Sequence, residues 1–263
     1  PLGTFVATGA GRLHVLDESP AGAAPDAAPL VLLHGASGNL RDWWLSPTFG
    51  RLAAVRRTIA LDRPGFGHSD PAPGRGWRLA EQGETIRAGL RALGVRRWVA
   101  VGHSWSGALA LDLALRHPDE IAGLGILAGA TMPWGGALSA QYRIVASPVI
   151  GPAVAALAGR LVGPGTVRAS LEGIFAPQPV PARYLEEGGI DLALAPRTFR
   201  TNARALAALH EQVAANRPRY DGIACPAEVI HGEADRIVPA RIHARPLAGL
   251  LPAARLTVLP GVG

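Results

Sequence analysis

Residues 99–110 read VAVGHSWSGALA, and this stretch decides the fold. Apolar residues lead directly into Ser104, and a helical pattern begins at Trp105. A strand that turns sharply into a helix holds a serine hydroxyl clear of the sheet, and its neighbours must be small because the turn brings backbone segments together. The helix start behind the serine offers free N–H groups to developing negative charge. The pattern therefore favours a nucleophilic serine over a serine that only caps a helix.

Short apolar runs alternate with helical patterns along most of the chain. Several of these runs are apolar throughout, which is typical of strands buried on both faces of a mostly parallel sheet. The alternation predicts an α/β fold in which helices flank a mostly parallel central sheet. The predicted strands cover residues 12–16, 30–34, 58–62, 98–102, 121–128, 227–231 and 255–259, and the predicted helices cover 81–93, 105–116 and 242–250.

The alternation breaks between residues 133 and 219. This region is rich in Ala, Pro and Gly, and it contains helix-like pieces but no clear strand. We therefore predict a helical lid over 133–219, inserted into a core formed by residues 1–132 and 220–263. An insertion at the carboxyl ends of strands lies where open α/β sheets bind their ligands.

The composition excludes several classes of protein. Hydrophobic residues make up 48% of the chain and charged residues 17%, which excludes intrinsic disorder. A single Cys excludes a disulfide framework and any metal cluster held by several cysteines. No histidines and acidic residues are spaced as metal ligands, so we expect no metal ion, and we expect no cofactor.

The net charge of +6 raises the question of a nucleic-acid or membrane partner. All 26 basic residues are arginines, and they are scattered without a basic run, so we expect no nucleic-acid binding. An uncharged stretch at 144–159 is too short for a membrane span and contains two prolines. The chain begins with Pro1 rather than Met, so we expect the natural N-terminus to be missing. Membrane association through that terminus stays open, as does the choice between a cytoplasmic and a periplasmic location.

A second motif, LVLLHGASG at residues 30–38, ends an earlier strand in a loop that contains glycine. Such a loop can aim a backbone N–H group at an oxyanion. We expect the amide of Ala36 to be that donor, with Ser37 as the second choice and the amide of Trp105 as its partner. We expect His34 to have a structural role, bonded to the backbone of the loop.

A third motif, VIHGEADRIVP at residues 229–239, places an acidic residue between a strand end and a helix that starts at proline. A carboxylate there can orient an imidazole and stabilise its cation, and we assign that role to Asp235. Two alternatives stay open at this point. Asp235 would serve only as a turn or cap residue in the first, and Glu233 would be the acid in the second.

These three segments and DRPGFGHSD at 62–70, in this order, resemble the α/β-hydrolase family over essentially the whole chain. The resemblance implies a helical cap and a catalytic order of serine, acid and histidine, with Ser104 as nucleophile and Asp235 as acid. The sequence departs from the family pattern in two places. Ser106 replaces the second glycine of the serine turn, and the family histidine, often in a G-x-G-H context, is expected directly after Gly263, as residue 264.

A serine nucleophile argues against mechanisms that need an aspartate at this turn, so dehalogenation and epoxide opening are excluded. We expect hydrolysis of an apolar small-molecule ester, thioester or lactone through an acyl-serine. Trp43, Trp44 and Trp105 lie near the predicted site, and we assign substrate contacts to Ser37 and Trp134. The tryptophans would only join lid to core in a competing interpretation. The alternative functions are a carbon–carbon bond hydrolase, a cofactor-free perhydrolase and a non-catalytic ligand-binding relative.

Overall fold

The computed structural model describes residues 2–22, 27–135 and 140–263, and its centre is an eight-stranded sheet. The strands are β1 Thr4–Ala7, β2 Arg12–Glu18, β3 Leu30–Leu33, β4 Thr58–Leu61, β5 Trp98–His103, β6 Ile121–Leu127, β7 Ala227–Gly232 and β8 Ala254–Leu259. Their order across the sheet is β1-β2-β4-β3-β5-β6-β7-β8. The first two strands are antiparallel to their neighbours, and β4, β3, β5, β6, β7 and β8 are parallel.

The middle of the sheet confirms the apolar runs as parallel strands. Strand β3 (LVLL) lies between β4 and β5, with Leu30 opposite Thr58 on one side and opposite Val99 on the other. Its position explains why the run does not alternate, since both faces of the strand are covered. All seven predicted strands are present. Strand β1 was not predicted because it is a short, mostly exposed edge strand that carries no apolar run.

Helices lie around this sheet and in the insertion between β6 and β7. They are α1 Arg41–Trp44, α2 Pro47–Ala53, α3 Leu79–Ala92, α4 Trp105–Arg116, α5 Ala140–Ala146, α6 Gly151–Leu161, α7 Pro164–Phe175, α8 Tyr184–Glu187, α9 Ile190–Leu194, α10 Pro196–Asn216 and α11 Ala244–Leu250, with a 3₁₀ helix at Arg217–Gly222. The predicted α3 and α4 match closely. The predicted helix at 242–250 begins two residues later, because its first residues form a turn.

Helices α5 to α10 all lie between β6 and β7, where the sequence predicts a lid. Helix α10 is a 21-residue amphipathic helix, and its Ala205, Leu209 and Val213 are buried in the main apolar core. The cap therefore shares a core with the sheet domain. The limits 133 and 219 stay a prediction, and residues 136–139 of that range lie outside the described part of the chain. No helix in the described ranges is long and apolar enough to cross a membrane.

Candidate active site

Ser104 stands at the corner between β5 and α4 with strained backbone angles. Its φ is 52° and its ψ is −117°, a conformation that costs a residue with a side chain about 1–3 kcal/mol. Neighbouring backbone holds the corner in place, since the Ser104 amide donates to the Leu127 carbonyl at 2.9 Å. The Ser104 side chain is half-buried, so its hydroxyl is not sealed inside the core. Strain concentrated at an accessible serine is typical of a nucleophile.

Small residues around Ser104 make this corner possible. A Cβ atom on Gly102 would lie 2.1 Å from the Ser106 carbonyl oxygen, and one on Gly107 would lie 2.8 Å from the Cα of Gly129. Ser106, which stands where the family usually has glycine, is fully buried. Its hydroxyl donates to the His34 carbonyl at 2.5 Å. The departure from glycine is therefore accommodated, and it adds a bond between the serine corner and the loop after β3.

The loop after β3 touches the nucleophile. A Cβ on Gly35 would lie 3.1 Å from the Cβ of Ser104, so this glycine allows the close approach. Among the described residues, no hydrogen bond is formed by the amide of Ala36 or by the amide of Trp105. Both predicted oxyanion donors are therefore available next to Ser104. The amide of Ser37, the second choice, is occupied, because it donates to Oδ1 of Asn202 at 2.8 Å.

Two pairs of hydrogen bonds fix the direction of the predicted donors. The Gly35 carbonyl accepts from His34 Nδ1 at 2.9 Å and from Arg63 at 3.0 Å. The Ser104 carbonyl accepts from the amides of Gly107 and Ala130, both at 3.0 Å. In a trans peptide unit the N–H points opposite to the C=O. Fixing these two carbonyls therefore fixes the N–H groups of the residues that follow them, which are the two predicted donors.

Arg63 is the fully buried centre of this arrangement. Its guanidinium lies between the rings of Phe66 and Trp105, 4.1 Å from each centroid, and it also donates to Gln82 at 2.9 Å. Burial lowers the pKa of Arg63 to about 9, which leaves the group protonated at neutral pH. Its backbone amide donates to Nε2 of His34 at 3.0 Å. Arg63 therefore holds the loop after β3 in place through the Gly35 carbonyl and the His34 ring.

His34 is bonded to the loop backbone, as the sequence predicts. Burial and the nearby Arg63 lower its pKa to about 3, so the ring is neutral and accepts at Nε2 while donating at Nδ1. The same motif contributes Asp62, whose carboxylate accepts from the amides of Leu40 at 2.7 Å and His68 at 2.8 Å. This carboxylate organises the start of α1 and the loop after β4.

Asp235 follows β7 and is held as an ionised acid. Burial raises its pKa, but hydrogen bonds from His231 and from the amides of Val238 and Ile237 outweigh that effect and lower it overall. Both amides donate to Oδ1 at 2.8 Å, which leaves Oδ2 with only His231 Nε2 at 3.3 Å. Its rival, Glu233, is exposed to solvent. Asp235 therefore makes the backbone contacts of a turn or cap residue. Its second carboxylate oxygen accepts no backbone amide from the described residues and can accept a hydrogen bond from an imidazole.

The serine corner and the acid loop follow the carboxyl ends of β5 and β7, two parallel strands of the same sheet. The His103 side chain, next to Ser104, is accessible to solvent, yet enough protein surrounds it to lower its pKa by desolvation. The negative charge of Asp235 raises the pKa of both His103 and His243 against that burial effect. The structure therefore brings the predicted nucleophile and acid to the same edge of the sheet.

The loop after β8 lies against the acid loop. The Ala234 amide donates to the Val262 carbonyl at 2.8 Å, and a Cβ on Gly232 would lie 3.1 Å from the Gly263 amide nitrogen. Gly263 also touches the cap, where its amide donates to Gln178 at 2.9 Å. None of the histidines described here bonds to both Ser104 and Asp235. His231 is the one in contact with Asp235, and its Nε2 also donates to the Val238 carbonyl.

The indoles assigned to the substrate wall have other partners. The Trp105 ring is only 1% exposed, and its Nε1 donates to the Ala205 carbonyl of α10 at 3.1 Å. It therefore packs under the cap and does not line the site, contrary to the expectation of an apolar wall there. Trp134 is half-buried and packs edge-on against His210 of α10. Its ring centroid also lies 5.9 Å from that of His243 in the core, a contact that joins lid to core, and substrate contact by Trp134 stays a prediction.

One cavity of the described structure lies away from the serine corner and the acid loop. It has a volume of about 760 Å³ and lies within the cap, between α7 and the helices α8 and α9. None of its lining residues comes from the serine corner, from the loop after β3 or from the loop after β7. Within the described ranges, no three His, Cys, Asp or Glu side chains are grouped so that they could hold a metal ion.

Comparison with known proteins agrees with this geometry. Residues 28–263 match the family model described as alpha/beta hydrolase fold. The chain belongs to the α/β hydrolase fold family. In this α/β-hydrolase the order of the predicted serine and acid along the chain follows the family order.

Several relatives span most of the α/β-hydrolase chain. The dihydrolipoyllysine-residue acetyltransferase component of an acetoin cleaving system from Pseudomonas putida is 35% identical over 247 residues, which are 89% of this chain but only 58% of that protein. A 2-hydroxy-6-oxononadienedioate/2-hydroxy-6-oxononatrienedioate hydrolase from Paraburkholderia xenovorans is 29% identical over 87% of this chain and 78% of its own length. The solved 2-hydroxy-6-oxo-6-phenylhexa-2,4-dienoate hydrolase from Rhodococcus sp. strain RHA1 superposes with a TM-score of 0.78 at 21% identity, covering 98% of this chain and 90% of that one.

Proposed function

We propose that this α/β-hydrolase cleaves an apolar small-molecule ester, thioester or lactone through an acyl-serine intermediate. The observation that carries the proposal is the strained Ser104, which stands beside two backbone amides. The direction of each amide is fixed, because the carbonyl of the same peptide unit accepts two hydrogen bonds. Preorganised N–H donors of this kind stabilise the oxyanion of an acyl-transfer transition state.

The proposed reaction runs in two halves. An imidazole takes the proton of the Ser104 hydroxyl while the oxygen attacks the carbonyl carbon of the substrate, and the oxyanion binds the amides of Ala36 and Trp105. The intermediate collapses, the leaving alcohol or thiol receives the proton, and an acyl-serine remains. Water then repeats the attack and releases the acid. The ionised Asp235 stabilises the imidazolium in both halves.

We further propose that the imidazole belongs to a histidine at the position after Gly263. The contacts of Val262 and Gly263 with Ala234 and Gly232 support this assignment, because they bring that position to the acid loop. The free side of Asp235 Oδ2 is available to orient such a ring. Gly261, with a φ of 67°, turns the chain directly before Val262 and Gly263.

The experiment compares residues 1–263 with a chain that continues through a histidine at position 264. We expect the longer chain to hydrolyse p-nitrophenyl acetate and butyrate at least about 10³-fold faster, because a serine without its base is a weak nucleophile. Labelling by a fluorophosphonate should follow the same order and disappear in S104A. Equal activity of the two chains would overturn the assignment of the base. Equal activity of S104A and its parent would overturn the proposed nucleophile.

A carbon–carbon bond hydrolase is the second candidate, because the Paraburkholderia relative that matches 87% of this chain bears that kind of name. The same serine and oxyanion donors serve that chemistry. The two candidates separate in one assay, in which matched concentrations of p-nitrophenyl butyrate and a 2-hydroxy-6-oxo-dienoate are offered to the longer chain. A kcat/KM for the dienoate more than tenfold above that for the ester would favour the second candidate.

A further inference from the structure

The outer surface of the cap carries uncovered apolar side chains. Helices α5 and α6 form an antiparallel pair over Ala140–Leu161, called here the cap hairpin. Its inner side is buried, with Val145 and Ala155 packed against Ala203 of α10. Its outer side and the turn between the helices expose four large apolar side chains, with exposed fractions of 44% for Ile144, 83% for Val149, 51% for Ile150 and 50% for Leu157.

The turn of the cap hairpin satisfies most of its own backbone N–H groups. The Ser147 amide donates to the Ile144 carbonyl at 3.1 Å, and the Gly151 amide donates to the Ser147 carbonyl at 3.2 Å. The Val149 amide donates to the Ser147 hydroxyl at 3.4 Å, and Pro148 has no N–H group. Within the described residues the Ile150 amide has no partner, so the turn suits the hydrated interface of a bilayer and not its hydrocarbon core.

The charged residues in the stretch of sequence that contains the cap hairpin have one sign. No Asp or Glu occurs between Glu120 and Glu172, and the charged residues of that interval are Arg143, Arg160 and Arg168. The side chains of Arg143 and Arg168 are exposed. Arg168 lies four residues before Glu172 on α7, and α9, which contacts α6, carries the exposed Asp191. Arg143 has no acidic neighbour in sequence, and with the exposed apolar turn it is complementary to anionic lipid head groups above an acyl phase.

We propose that the cap hairpin binds the surface of a membrane that contains anionic lipid, with Val149 and Ile150 entering the interface and Arg143 contacting the head groups. A second copy of the chain is a poorer occupant, because a twofold contact through this face would oppose like charges. The binding is peripheral, since α6 has 11 residues and is too short to span a bilayer.

One helix connects this surface to the candidate active site. Ala203 of α10 packs against the cap hairpin, and the adjacent Asn202 holds Ser37 in the oxyanion loop through two hydrogen bonds. A membrane bound at the hairpin would therefore lie one helix layer from the site. If the proposed function holds, apolar substrates dissolved in the bilayer would reach it over a short path. The membrane binding itself does not depend on catalysis.

The test is flotation of the 263-residue protein with lipid vesicles. We expect partitioning into vesicles of phosphatidylcholine and phosphatidylglycerol (7:3), weaker partitioning into phosphatidylcholine alone, and release by high salt. V149S/I150S should lower the partition coefficient about tenfold or more, because two large apolar side chains no longer enter the interface. R143Q should lower it less, and only for the anionic vesicles.

A matched control uses apolar residues that are equally exposed elsewhere. Val55 and Ile237 are 77% and 60% exposed and lie in the sheet domain, so V55S/I237S should leave partitioning within about twofold of the parent. S104A should bind as the parent does, which separates this proposal from the proposed function. Absence of binding to anionic vesicles, or equal loss in the hairpin and control variants, would overturn the proposal. A dimer that V149S/I150S dissociates, seen by light scattering without vesicle binding, would assign the surface to self-association instead.

Discussion

The serine corner and the turn of the cap hairpin are short segments rich in small residues, yet they are built for opposite purposes. At 102–107 (GHSWSG) close backbone packing forces Ser104 into a strained conformation and covers the ring of Trp105 completely. At 147–152 (SPVIGP) the backbone bonds only to itself and leaves Val149 and Ile150 in solvent. Small residues therefore give precision where neighbouring elements converge, and give an exposed apolar tip where none do.

The same contrast extends to the two regions around these turns. Around the serine corner, carbonyls are held by two donors each, and the buried Arg63 has fixed partners. The cap is joined to the sheet domain by side-chain hydrogen bonds, among them Asn202 to Ser37 and Tyr184 to Asp42. Substitutions in the first region should therefore change catalysis, and substitutions in the second should change how firmly the cap is held.

The largest effect is expected at the nucleophile. S104A in the active chain should lower kcat for p-nitrophenyl butyrate by about 10⁴-fold to 10⁶-fold, because no other group can form the acyl-enzyme. S104G is a matched variant that also lacks the hydroxyl, but glycine adopts the positive φ of residue 104 without strain. Its midpoint of thermal unfolding should therefore exceed that of S104A by a few degrees. Equal midpoints would show that the corner stores no strain.

The second effect tests whether Arg63 aims the Ala36 amide. R63M keeps much of the side-chain volume but removes the bond to the Gly35 carbonyl, so kcat should fall about 10-fold to 100-fold while KM changes less than threefold. R63K retains the charge without the fork that reaches both Gly35 and Gln82, and it should recover only part of the loss. A rise in KM with unchanged kcat would assign Arg63 to substrate binding. Circular dichroism checks that both variants fold.

The third effect is a pH dependence of stability at the junction of cap and core. Burial raises the pKa of Asp42 to about 6, although the Tyr184 hydroxyl, 2.7 Å away, favours its ionised form. The folded protein then binds more protons than the unfolded chain between pH 4 and pH 6. The free energy of unfolding through this group should therefore fall as the pH rises across that range, by on the order of 2 kcal/mol.

The D42N variant isolates this contribution, because its amide oxygen can still accept from Tyr184. Urea unfolding from pH 4 to pH 7 should show D42N gaining stability relative to the parent as the pH rises. A difference that does not depend on pH would mean that the pKa of Asp42 is not raised. Y184F should change the stability without removing the pH dependence, since burial is its larger cause.

The smallest effect is expected at the polar contact between α10 and the oxyanion loop. N202A removes two hydrogen bonds to Ser37, at 2.8 and 2.9 Å, and should lower the free energy of unfolding by about 1–2 kcal/mol. The freed Ser37 amide could then compete as an oxyanion donor, so kcat should change by less than tenfold. A loss as large as that of S104A would place Asn202 in the catalytic machinery and remove the contrast between the two regions.

The sequence predicted the architecture well because its signals are local. The sequence signals marked all seven strands from β2 to β8, and the order of the motifs around Ser104 and Asp235 fitted the family that the comparison shows. The short edge strand β1 and the helices α1 and α2 were missed, since they carry weak periodic patterns. The sequence analysis assigned Trp105 both an amide donor and a place in the wall of the site. Its amide is free beside the nucleophile, but its ring is buried, and only packing by α10 decides that.

What the sequence alone determined is the position of chemistry along the chain: a serine between a strand and a helix, an acid after a later strand, and glycine-containing loops where strands end. The direction in which the peptide groups around Ser104 point was set by tertiary contacts alone. The Gly35 and Ser104 carbonyls are turned by partners such as Arg63 and Ala130, which lie 28 and 26 residues away. The physical reason is that a peptide group's orientation depends on every donor that reaches it, and those donors meet only when the chain has folded.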